Sequence, residues 1–375
     1  TFSLAPIVYN LRTGLYFDSN TKASEVRLYG STNGSIETIL SSASALLTLR
    51  AGAPQVTLHG IKMHGRLVVD DGLLLIENCV VEKSTHPSDG GALSLTGGRA
   101  EVRNTWFLDN HADRGGAIAV DGGSLLLDNC RLDSNTATLD GGALYVKSGA
   151  VNLRSGTLLQ GNSALSGNSL YIDGGTVQYM LPCSLGHYIK ADYGKTSMLI
   201  TASMAPINED FPYTCSPGLY GNSFEEQTSA GCSGVCPEGR FCPVGTIHPQ
   251  PCGGGNFCPG SDATGRRGAT AALPCKAGTY SNESNLVRAD ECTKTDAGFY
   301  ASTGSTEQTA CATGTIAAEQ GRGRCTPCGA GTYQNATGAA VCKRCKQGYY
   351  CPTGASAPLR DCRPDLNPVG AGAFT

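Results

Sequence analysis

Between Leu73 and Gly175 the sequence repeats itself every 25 or 26 residues. Each repeat holds two short segments in which apolar and polar residues alternate. The first segments are LLLIENCVV (73–81), RAEVRNTWF (99–107), SLLLDNCRL (124–132) and AVNLRSGTL (150–158). The second segments are GGALSL (90–95), GGAIAV (115–120), GGALYV (141–146) and GNSLYI (167–172). A fixed period of about 20–50 residues is typical of solenoids, so this feature limits the fold more than any other.

The alternation within each segment has a period of two, which indicates strands rather than helices. Alignment of the repeats predicts four inward columns: Leu74/Ala100/Leu125/Val151, Ile76/Val102/Leu127/Leu153, Leu93/Ile118/Leu144/Leu170 and Leu95/Val120/Val146/Ile172. Glycine pairs such as Gly90-Gly91 supply corners with positive φ. A unit of about 25 residues cannot bury an apolar face alone, so we expect parallel rungs stacked about 4.8 Å apart.

The flanks of the repeat set the predicted domain boundary. Residues 1–66 contain short strand-like segments and are predicted to be earlier, less regular rungs. No amphipathic helix precedes them, and an uncovered solenoid end exposes backbone groups on which another chain can stack. The repeat fades after Thr176, so we predict a β-helix over 1–205 and a second domain over 206–375.

Two further columns hold residues with possible chemistry. Asn78, Asn104 and Asn129, ending at Ser155, are interpreted as an internal ladder of hydrogen-bonded amides, with a track for a polar ligand as the alternative. Cys79 and Cys130 share one column two rungs apart. That separation, about 9–10 Å, is too long for a disulfide, so both are predicted to be buried free thiols.

The motifs that connect the two segments resemble a known family. FLDN (107–110) precedes GGAI (115–118), LDSN (132–135) precedes GGAL (141–144), and LQGN (159–162) precedes SGNSL (166–170). These pairs resemble the FxxN and GGAI repeats of polymorphic outer-membrane proteins over roughly residues 67–180. The resemblance implies a right-handed parallel β-helix used in adhesion.

Cysteine is the most informative part of the composition. The chain has 375 residues and 18 cysteines, of which 15 lie from Cys215 onward. This asymmetry predicts an oxidising, extracellular or cell-surface location and a signal peptide that has already been removed. The net charge of −3 favours no nucleic-acid partner, and no apolar run reaches the length of a membrane span.

The second half repeats a different unit, C-x-x-G-x-[YF]. Its members are CSPGLYGNS (215–223), CPEGRFC (236–242), CKAGTYSN (275–282), CGAGTYQN (328–335) and CKQGYYC (345–351), with DAGFYAS (296–302) lacking the first cysteine. They resemble the GCC2/GCC3, ephrin-receptor-like, EGF-like and tumour-necrosis-factor-receptor-like repeats of extracellular proteins. Because these units have few apolar residues, a rod stapled by disulfides is expected.

The number of cysteines leads to a specific pairing. Fifteen cysteines from Cys215 onward cannot all pair, so we add Cys183 and predict a Cys183–Cys215 bridge at the solenoid exit. The resemblance to ladder-like repeats further suggests Cys275–Cys292 and Cys328–Cys342. The full set predicted to form disulfides is Cys183, Cys215, Cys232, Cys236, Cys242, Cys252, Cys258, Cys275, Cys292, Cys311, Cys325, Cys328, Cys342, Cys345, Cys351 and Cys362.

Two short motifs suggest ligands or modifications. Cys325, Cys328, Cys342 and Cys345 have zinc-ribbon spacing, but the surrounding cysteine repeats favour disulfides, and no metal or cofactor is expected. The N-glycosylation sequons lie at Asn33, Asn282 and Asn335. Asn282 and Asn335 occupy the same place in their repeats, on predicted surface turns.

An enzyme of the polysaccharide lyase or hydrolase class would need clustered carboxylates or a carboxylate pair at a defined separation. The candidates are Asp70, Asp71, Asp109, Asp113, Asp128, Asp133 and Asp140, with His59, His64, His111 and Arg114. None forms a recognisable catalytic set, so no enzymatic activity is expected. The single tryptophan, Trp106, is expected to pack in the core or on the surface, with sugar stacking as the alternative.

The sequence therefore predicts an all-β protein, a right-handed parallel β-helix followed by a disulfide-stapled cysteine-rich rod. Its expected role is an extracellular structural one, as a self-associating subunit of a cell-surface fibril or appendage. An adhesin or receptor-like module that binds glycans or proteins is the first alternative, and a β-helix lyase or hydrolase is the second. Expected partners are further copies of the chain, N-linked glycans and other cell-surface or matrix proteins.

Overall fold

The computed structural model describes residues 1–5, 8–30, 38–190, 196–224, 227–261, 265 and 267–360. Its regular secondary structure is β, apart from one 3-10 turn at Ala289–Glu291. The chain divides into two compact units, 1–215 with 221–233, and 216–220 with the residues from 234 onward. The first unit extends past the predicted boundary at residue 205 because the chain after it pairs back onto the last rungs.

The first unit is a parallel β-solenoid of about six turns over residues 2–179. Its strands are β1 (Phe2–Ser3), β2 (Val8–Leu11), β3 (Leu15–Phe17), β4 (Glu25–Tyr29), β5 (Ile39–Leu49), β6 (Gln55–His59), β7 (Lys62–Val69), β8 (Leu73–Glu77), β9 (Val80–Glu82), β10 (Leu93–Leu95), β11 (Arg99–Arg103), β12 (Trp106–Leu108), β13 (His111–Arg114), β14 (Ile118–Asp128), β15 (Arg131–Asp133), β16 (Thr136–Asp140), β17 (Leu144–Arg154), β18 (Leu158–Gln160), β19 (Leu170–Ile172) and β20 (Thr176–Met180). The exit segment adds β21 (His187–Tyr188), β22 (Ser197–Ile200) and β23 (Tyr213–Thr214).

The rungs form three faces, which we call A, B and C. Face A contains β1, β4, β6, β8, β11, the second halves of β14 and β17, and β20. Face B contains β2, the first halves of β5 and β7, β9, β12, β15 and β18. Face C contains β3, the second halves of β5 and β7, β10, the first halves of β14 and β17, and β19. A short extra sheet pairs β13 with β16.

The strand register confirms the predicted inward columns. On face A, Ala100 pairs with Leu74 before it and Leu125 after it, and Leu125 pairs with Val151. On face C the column from Leu93 to Leu170 pairs in the same way. These side chains are at most 1% exposed, so they form one continuous apolar core that runs through the stacked rungs.

The two ends of the solenoid differ. At the end of the last rung, β22 pairs antiparallel with β20 on face A. Phe211 bridges to Leu159 on face B, and Ile207 bridges to Leu170 on face C, both antiparallel. We call this the covered end. At the other end, the open end, no described strand pairs with the outer edges of β1, β2 and β3.

The second unit is a series of two-residue antiparallel hairpins. They are β24 (Leu219–Tyr220) with β25 (Gly234–Val235), β26 (Arg240–Phe241) with β27 (Gln250–Pro251), β28 (Asn256–Phe257) with β29 (Leu273–Pro274), β30 (Thr279–Tyr280) with β31 (Thr293–Lys294), β32 (Phe299–Tyr300) with β33 (Thr309–Ala310), β34 (Thr315–Ile316) with β35 (Thr326–Pro327), and β36 (Thr332–Tyr333) with β37 (Lys343–Arg344). The first strand of each hairpin directly follows the glycine of a C-x-x-G-x unit or its variant. Each hairpin therefore corresponds to one sequence repeat.

The structure adds two hairpin units that the sequence reading missed. Cys252–Phe257 and Cys311–Ile316 start hairpins in the same way. The first has a run of three glycines after its cysteine, and the second ends in isoleucine rather than an aromatic residue. The shared glycine has φ of +77° in the first and +82° in the second, a conformation that favours glycine. This left-handed glycine defines the unit better than the aromatic residue does.

Candidate functional site

The buried amide ladder of the solenoid is formed by Asn110, Asn135 and Asn162, which are 1%, 0% and 8% exposed. The Asn110 amide donates to Asn135 Oδ1 at 2.9 Å and to the Val81 carbonyl at 3.0 Å. The Asn135 amide donates to Asn162 Oδ1 and to the Phe107 carbonyl, both at 3.0 Å. These bonds satisfy the amides within the rung stack, so the ladder holds one corner together and leaves no track for a ligand.

The column predicted to be the internal ladder lies instead on the surface. Asn78, Asn104 and Asn129 are exposed and have φ between 47° and 54°. Asn129 donates to Asn104 Oδ1 at 2.8 Å. The prediction of a buried ladder here is therefore wrong. Asparagine is used at this corner because it adopts the left-handed conformation readily.

Three cysteines of the first unit are buried free thiols: Cys79, Cys130 and Cys183. Burial raises the pKa of the Cys79 thiol to about 11 and that of the Cys130 thiol to about 12. The Cys130 thiol donates to the Val102 carbonyl at 3.4 Å. Protonated thiols of this kind pack as small apolar groups and are poor nucleophiles.

The predicted Cys183–Cys215 bridge is wrong. Cys215 is bonded to Cys232, 17 residues away, the same separation as in Cys275–Cys292. Cys183 is 1% exposed, and its backbone N–H donates to Gln227 Oε1 at 2.9 Å. The prediction failed because it rested on parity alone, which required every later cysteine to pair.

The described disulfides are Cys215–Cys232, Cys236–Cys242, Cys252–Cys258, Cys275–Cys292, Cys311–Cys325, Cys328–Cys342 and Cys345–Cys351. The two pairs expected from the repeats, Cys275–Cys292 and Cys328–Cys342, are both present. Cys362 lies outside the described residues. The four cysteines with zinc-ribbon spacing are distributed over three disulfides, so they cannot act together as thiolate ligands.

The candidate acidic residues do not converge on one site. Asp70 accepts a hydrogen bond from Thr96 at 2.9 Å, and Asp113 accepts one from Thr138 at 3.0 Å. Asp109 has φ of 53° and forms a turn. The other candidates have separate partners: Asp133 pairs with Arg131, Asp140 with Arg114, His64 with the Glu82 carboxylate and His59 with the Asn78 amide. No group of three or more metal-ligating side chains occurs in the described parts of the chain.

The open end holds an apolar concavity. It is a cavity of about 600 Å³. It is lined by Phe2, Leu4, Tyr9, Leu11, Leu15, Phe17, Thr21, Lys22, Ala23, Val26, Leu28 and Leu40. The inward side chains of the first rungs line it because no described rung lies beyond them. Apolar surface of this kind, bordered by free strand edges, is typical of a contact surface.

The outer surface of face B carries the single tryptophan. Trp106 is 50% exposed, while the next residue, Phe107, is fully buried. Trp106 pairs with Val80 on the strand before it, β9, and with Arg131 on the strand after it, β15. None of the ring contacts among the described residues involves Trp106. Its indole therefore lies on the surface of the sheet.

The charged residues beside Trp106 are held in ion pairs. Arg131 Nη2 lies 2.6 Å from Asp133 Oδ2. Lys62 Nζ and His64 Nε2 each lie 3.2 Å from Glu82 Oε1. Burial raises the pKa of Glu82, but the hydrogen bonds from Lys62 and His64 outweigh it and lower that pKa overall.

The sequon residues Asn282 and Asn335 are both exposed and lie in loops, two residues after β30 and β36 respectively. Lys343 Nζ donates to Asn335 Oδ1 at 2.7 Å. Glycosylation at both positions stays a prediction. Asn33 lies outside the described residues.

Comparison with protein families and with curated proteins found no match for this chain. In the described parts of the chain, no helix has the length and apolar character needed to cross a membrane.

Proposed function

We propose that this chain is an extracellular structural protein, a subunit of a cell-surface fibril or appendage. The observation that carries the proposal is the difference between the two solenoid ends. The covered end is closed by antiparallel segments of the same chain. The open end presents the edges of β1, β2 and β3 around an apolar cavity of about 600 Å³. Free edges next to apolar side chains are the features to which another chain adds strands.

The geometry of the ends limits how copies can associate. Contact between the open ends of two copies joins them head to head. Such a contact is isologous and closes on a pair. A fibril then requires a second contact, between the sides of neighbouring copies. Alternation of the head-to-head contact with this lateral contact extends the assembly. We propose other cell-surface or matrix proteins as further partners, bound at the sides of the solenoid.

An extracellular location is supported by the seven disulfides among the described residues, since such bonds persist in oxidising compartments. The exposed sequons at Asn282 and Asn335 are accessible to N-linked glycans in such a compartment.

Assembly is tested by changing the two ends separately. Phe2 is 60% exposed at the open end, and Leu199 is 56% exposed on β22 at the covered end. We expect the unchanged protein to form pairs or longer assemblies as its concentration rises, measured by sedimentation velocity and negative-stain microscopy. Phe2→Glu places a charge in the apolar contact and should keep the protein monomeric.

Leu199→Glu is the matched control, since it adds the same charge to a side chain of similar exposure, and it should assemble normally. A wild-type protein that stays monomeric at every concentration contradicts the proposal. So does equal loss of assembly in both variants, because the open end would then have no special role.

We also infer that the chain is not a polysaccharide lyase or hydrolase. The support is that its candidate carboxylates lie in separate hydrogen bonds and ion pairs rather than in one cleft. A binding module for glycans or proteins is the second candidate function, and the half-exposed Trp106 favours it.

A further inference from the structure

Face B carries an outward-facing surface centred on Trp106, which we call the Trp106 platform. Its apolar members are Val80, Trp106, Leu108 and Leu158, and its polar members are Lys62, His64, Glu82, Arg131, Asp133 and Gln160. All ten alternate with buried residues, so their side chains project outward from five adjacent strands. Since neighbouring strands lie about 4.8 Å apart, the platform is about 19 Å long.

The indole of Trp106 supplies an open aromatic surface at the centre of this platform. It is half exposed, and the side chains of its strand neighbours, Val80 and Arg131, lie one rung away on either side. An aromatic face carries partial negative charge, which attracts the weakly positive C–H groups on the flat side of a sugar ring. The aliphatic side chain of Leu108, two residues along the strand, extends the apolar area.

The polar groups around the indole suit hydroxyl groups. The Asp133 carboxylate is fixed by Arg131 at 2.6 Å and by the Ser134 hydroxyl at 2.8 Å. The Glu82 carboxylate is fixed by Lys62, at 3.2 Å. Such carboxylates keep lone pairs that can accept hydrogen bonds from sugar hydroxyls, while guanidinium and ammonium groups donate to them. Because these side chains are already oriented, little conformational entropy is lost when a ligand binds.

The charges on the platform favour a neutral ligand. Lys62 and Arg131 balance Glu82 and Asp133, and each cation is already paired with an anion. The platform therefore has no surplus charge to attract a sulfated or carboxylated polymer. A protein partner fits less well, because interface centres are depleted of charged residues, and here ion pairs lie on both sides of the tryptophan.

We propose that the Trp106 platform binds a neutral oligosaccharide lying along the solenoid axis, with one sugar ring stacked on Trp106. Binding of this kind does not depend on assembly through the open end.

The sole tryptophan makes the test specific, because tryptophan emission of the full chain reports on Trp106 alone. The protein is titrated with cellohexaose, laminarihexaose, chitohexaose, mannohexaose and xylohexaose, and with a heparin hexasaccharide as the charged comparison. We expect a saturable blue shift of the emission with at least one neutral probe, unchanged by added salt. Calorimetry with that probe should show about tenfold weaker binding to Trp106→Ala.

Tyr350→Ala is the matched control, since Tyr350 is 53% exposed in the second unit, and it should bind as the unchanged protein does. Sedimentation of Trp106→Ala should match that of the unchanged protein, which separates loss of glycan binding from loss of assembly. The proposal is overturned if no neutral probe shifts the emission or if Trp106→Ala binds as well as the unchanged protein. It is also overturned by a salt-sensitive preference for the heparin probe. An emission shift produced by protein concentration alone, which identifies the platform as a contact between copies, overturns it as well.

Discussion

The two units of this protein repeat short β elements but are stabilised in different ways. The first unit has a continuous apolar core along the rungs and one disulfide, Cys215–Cys232, at its exit. The described part of the second unit has six disulfides, and its buried apolar clusters consist mostly of half-cystines, with Ala269 and Leu286.

The difference follows from what each repeat can bury. A solenoid rung buries side chains from three faces against the rung before and the rung after it, so apolar columns suffice. A hairpin with two-residue strands buries almost no apolar surface. Disulfides must stabilise it instead, by restricting the conformations of the unfolded chain. Cysteine accordingly has opposite roles: in the solenoid it is a buried thiol, and in the second unit it is a crosslink.

Reduction should separate the two units most clearly. With dithiothreitol, we expect the second unit to unfold, because each native disulfide of a small domain contributes about 2–5 kcal/mol. The solenoid should keep its β signal in circular dichroism. Limited proteolysis with mass spectrometry measures both, and fragments from 234 onward should disappear first. Loss of the solenoid at the same reductant concentration contradicts the comparison.

A cavity in the solenoid core should have the next largest effect. Phe107 is fully buried on face B. We expect Phe107→Ala to lower the free energy of unfolding of the solenoid by about 3–5 kcal/mol, measured by urea titration. Leu165→Ala is the control, since Leu165 is 83% exposed and should change stability by less than about 0.5 kcal/mol. Similar effects from both variants are inconsistent with a packed apolar column.

The buried amide ladder should matter less than the core but more than its surface counterpart. Asn135→Ala removes a donor to the Phe107 carbonyl and one of the two acceptors of the Asn110 amide. We expect a loss of about 2–4 kcal/mol in the same urea titration.

Asn104→Gly is the matched control for the ladder. It removes a surface amide at a corner with φ of 47°, where glycine is also tolerated, so stability should change by less than about 1 kcal/mol. Equal losses from the two substitutions are inconsistent with the distinction between the two asparagine columns.

The fold was predictable where the sequence repeats and not where it departs from the repeat. The inward columns followed from period-two alternation, and every registered pair on face A agrees with them. The covered end was not predicted, because Ile207 and Phe211 lie in a segment that has no repeat. Each forms a single antiparallel bridge to the last rung. The buried ladder was misplaced because burial of Asn110 and exposure of Asn104 depend on corner conformation, which composition does not reveal.

The candidate surfaces were predictable only in part. An uncovered front of the solenoid was expected, since residues 1–66 show no amphipathic helix, but the cavity needs the coordinates of several strands together. Trp106 was recognised as the sole tryptophan, yet its exposure depends on which way β12 faces. That direction is fixed by the burial of Phe107, one residue along.

The smallest expected effect tests whether the solenoid thiols are interchangeable with another small buried side chain. Cys130 lies in a column with Thr105 and Thr157, and both threonines are fully buried. Thr105 Oγ1 accepts the N–H of Cys79, and Thr157 Oγ1 accepts that of Cys130. Cys130→Thr should therefore change the free energy of unfolding by less than about 1.5 kcal/mol near neutral pH.

The same substitution should have a larger effect at alkaline pH. Burial raises the pKa of the Cys130 thiol from 9.0 to about 12. The native thiol therefore keeps its proton at a pH where the unfolded one loses it, and its contribution to stability falls as pH rises from about 9 towards 12. Wild type should lose up to about 1.4 kcal/mol per pH unit relative to Cys130→Thr in this window, measured by urea titration. If the stabilities of the two proteins had parallel pH profiles, Cys130 would be in contact with solvent. That result would contradict the contrast between buried thiols in the solenoid and disulfides in the second unit.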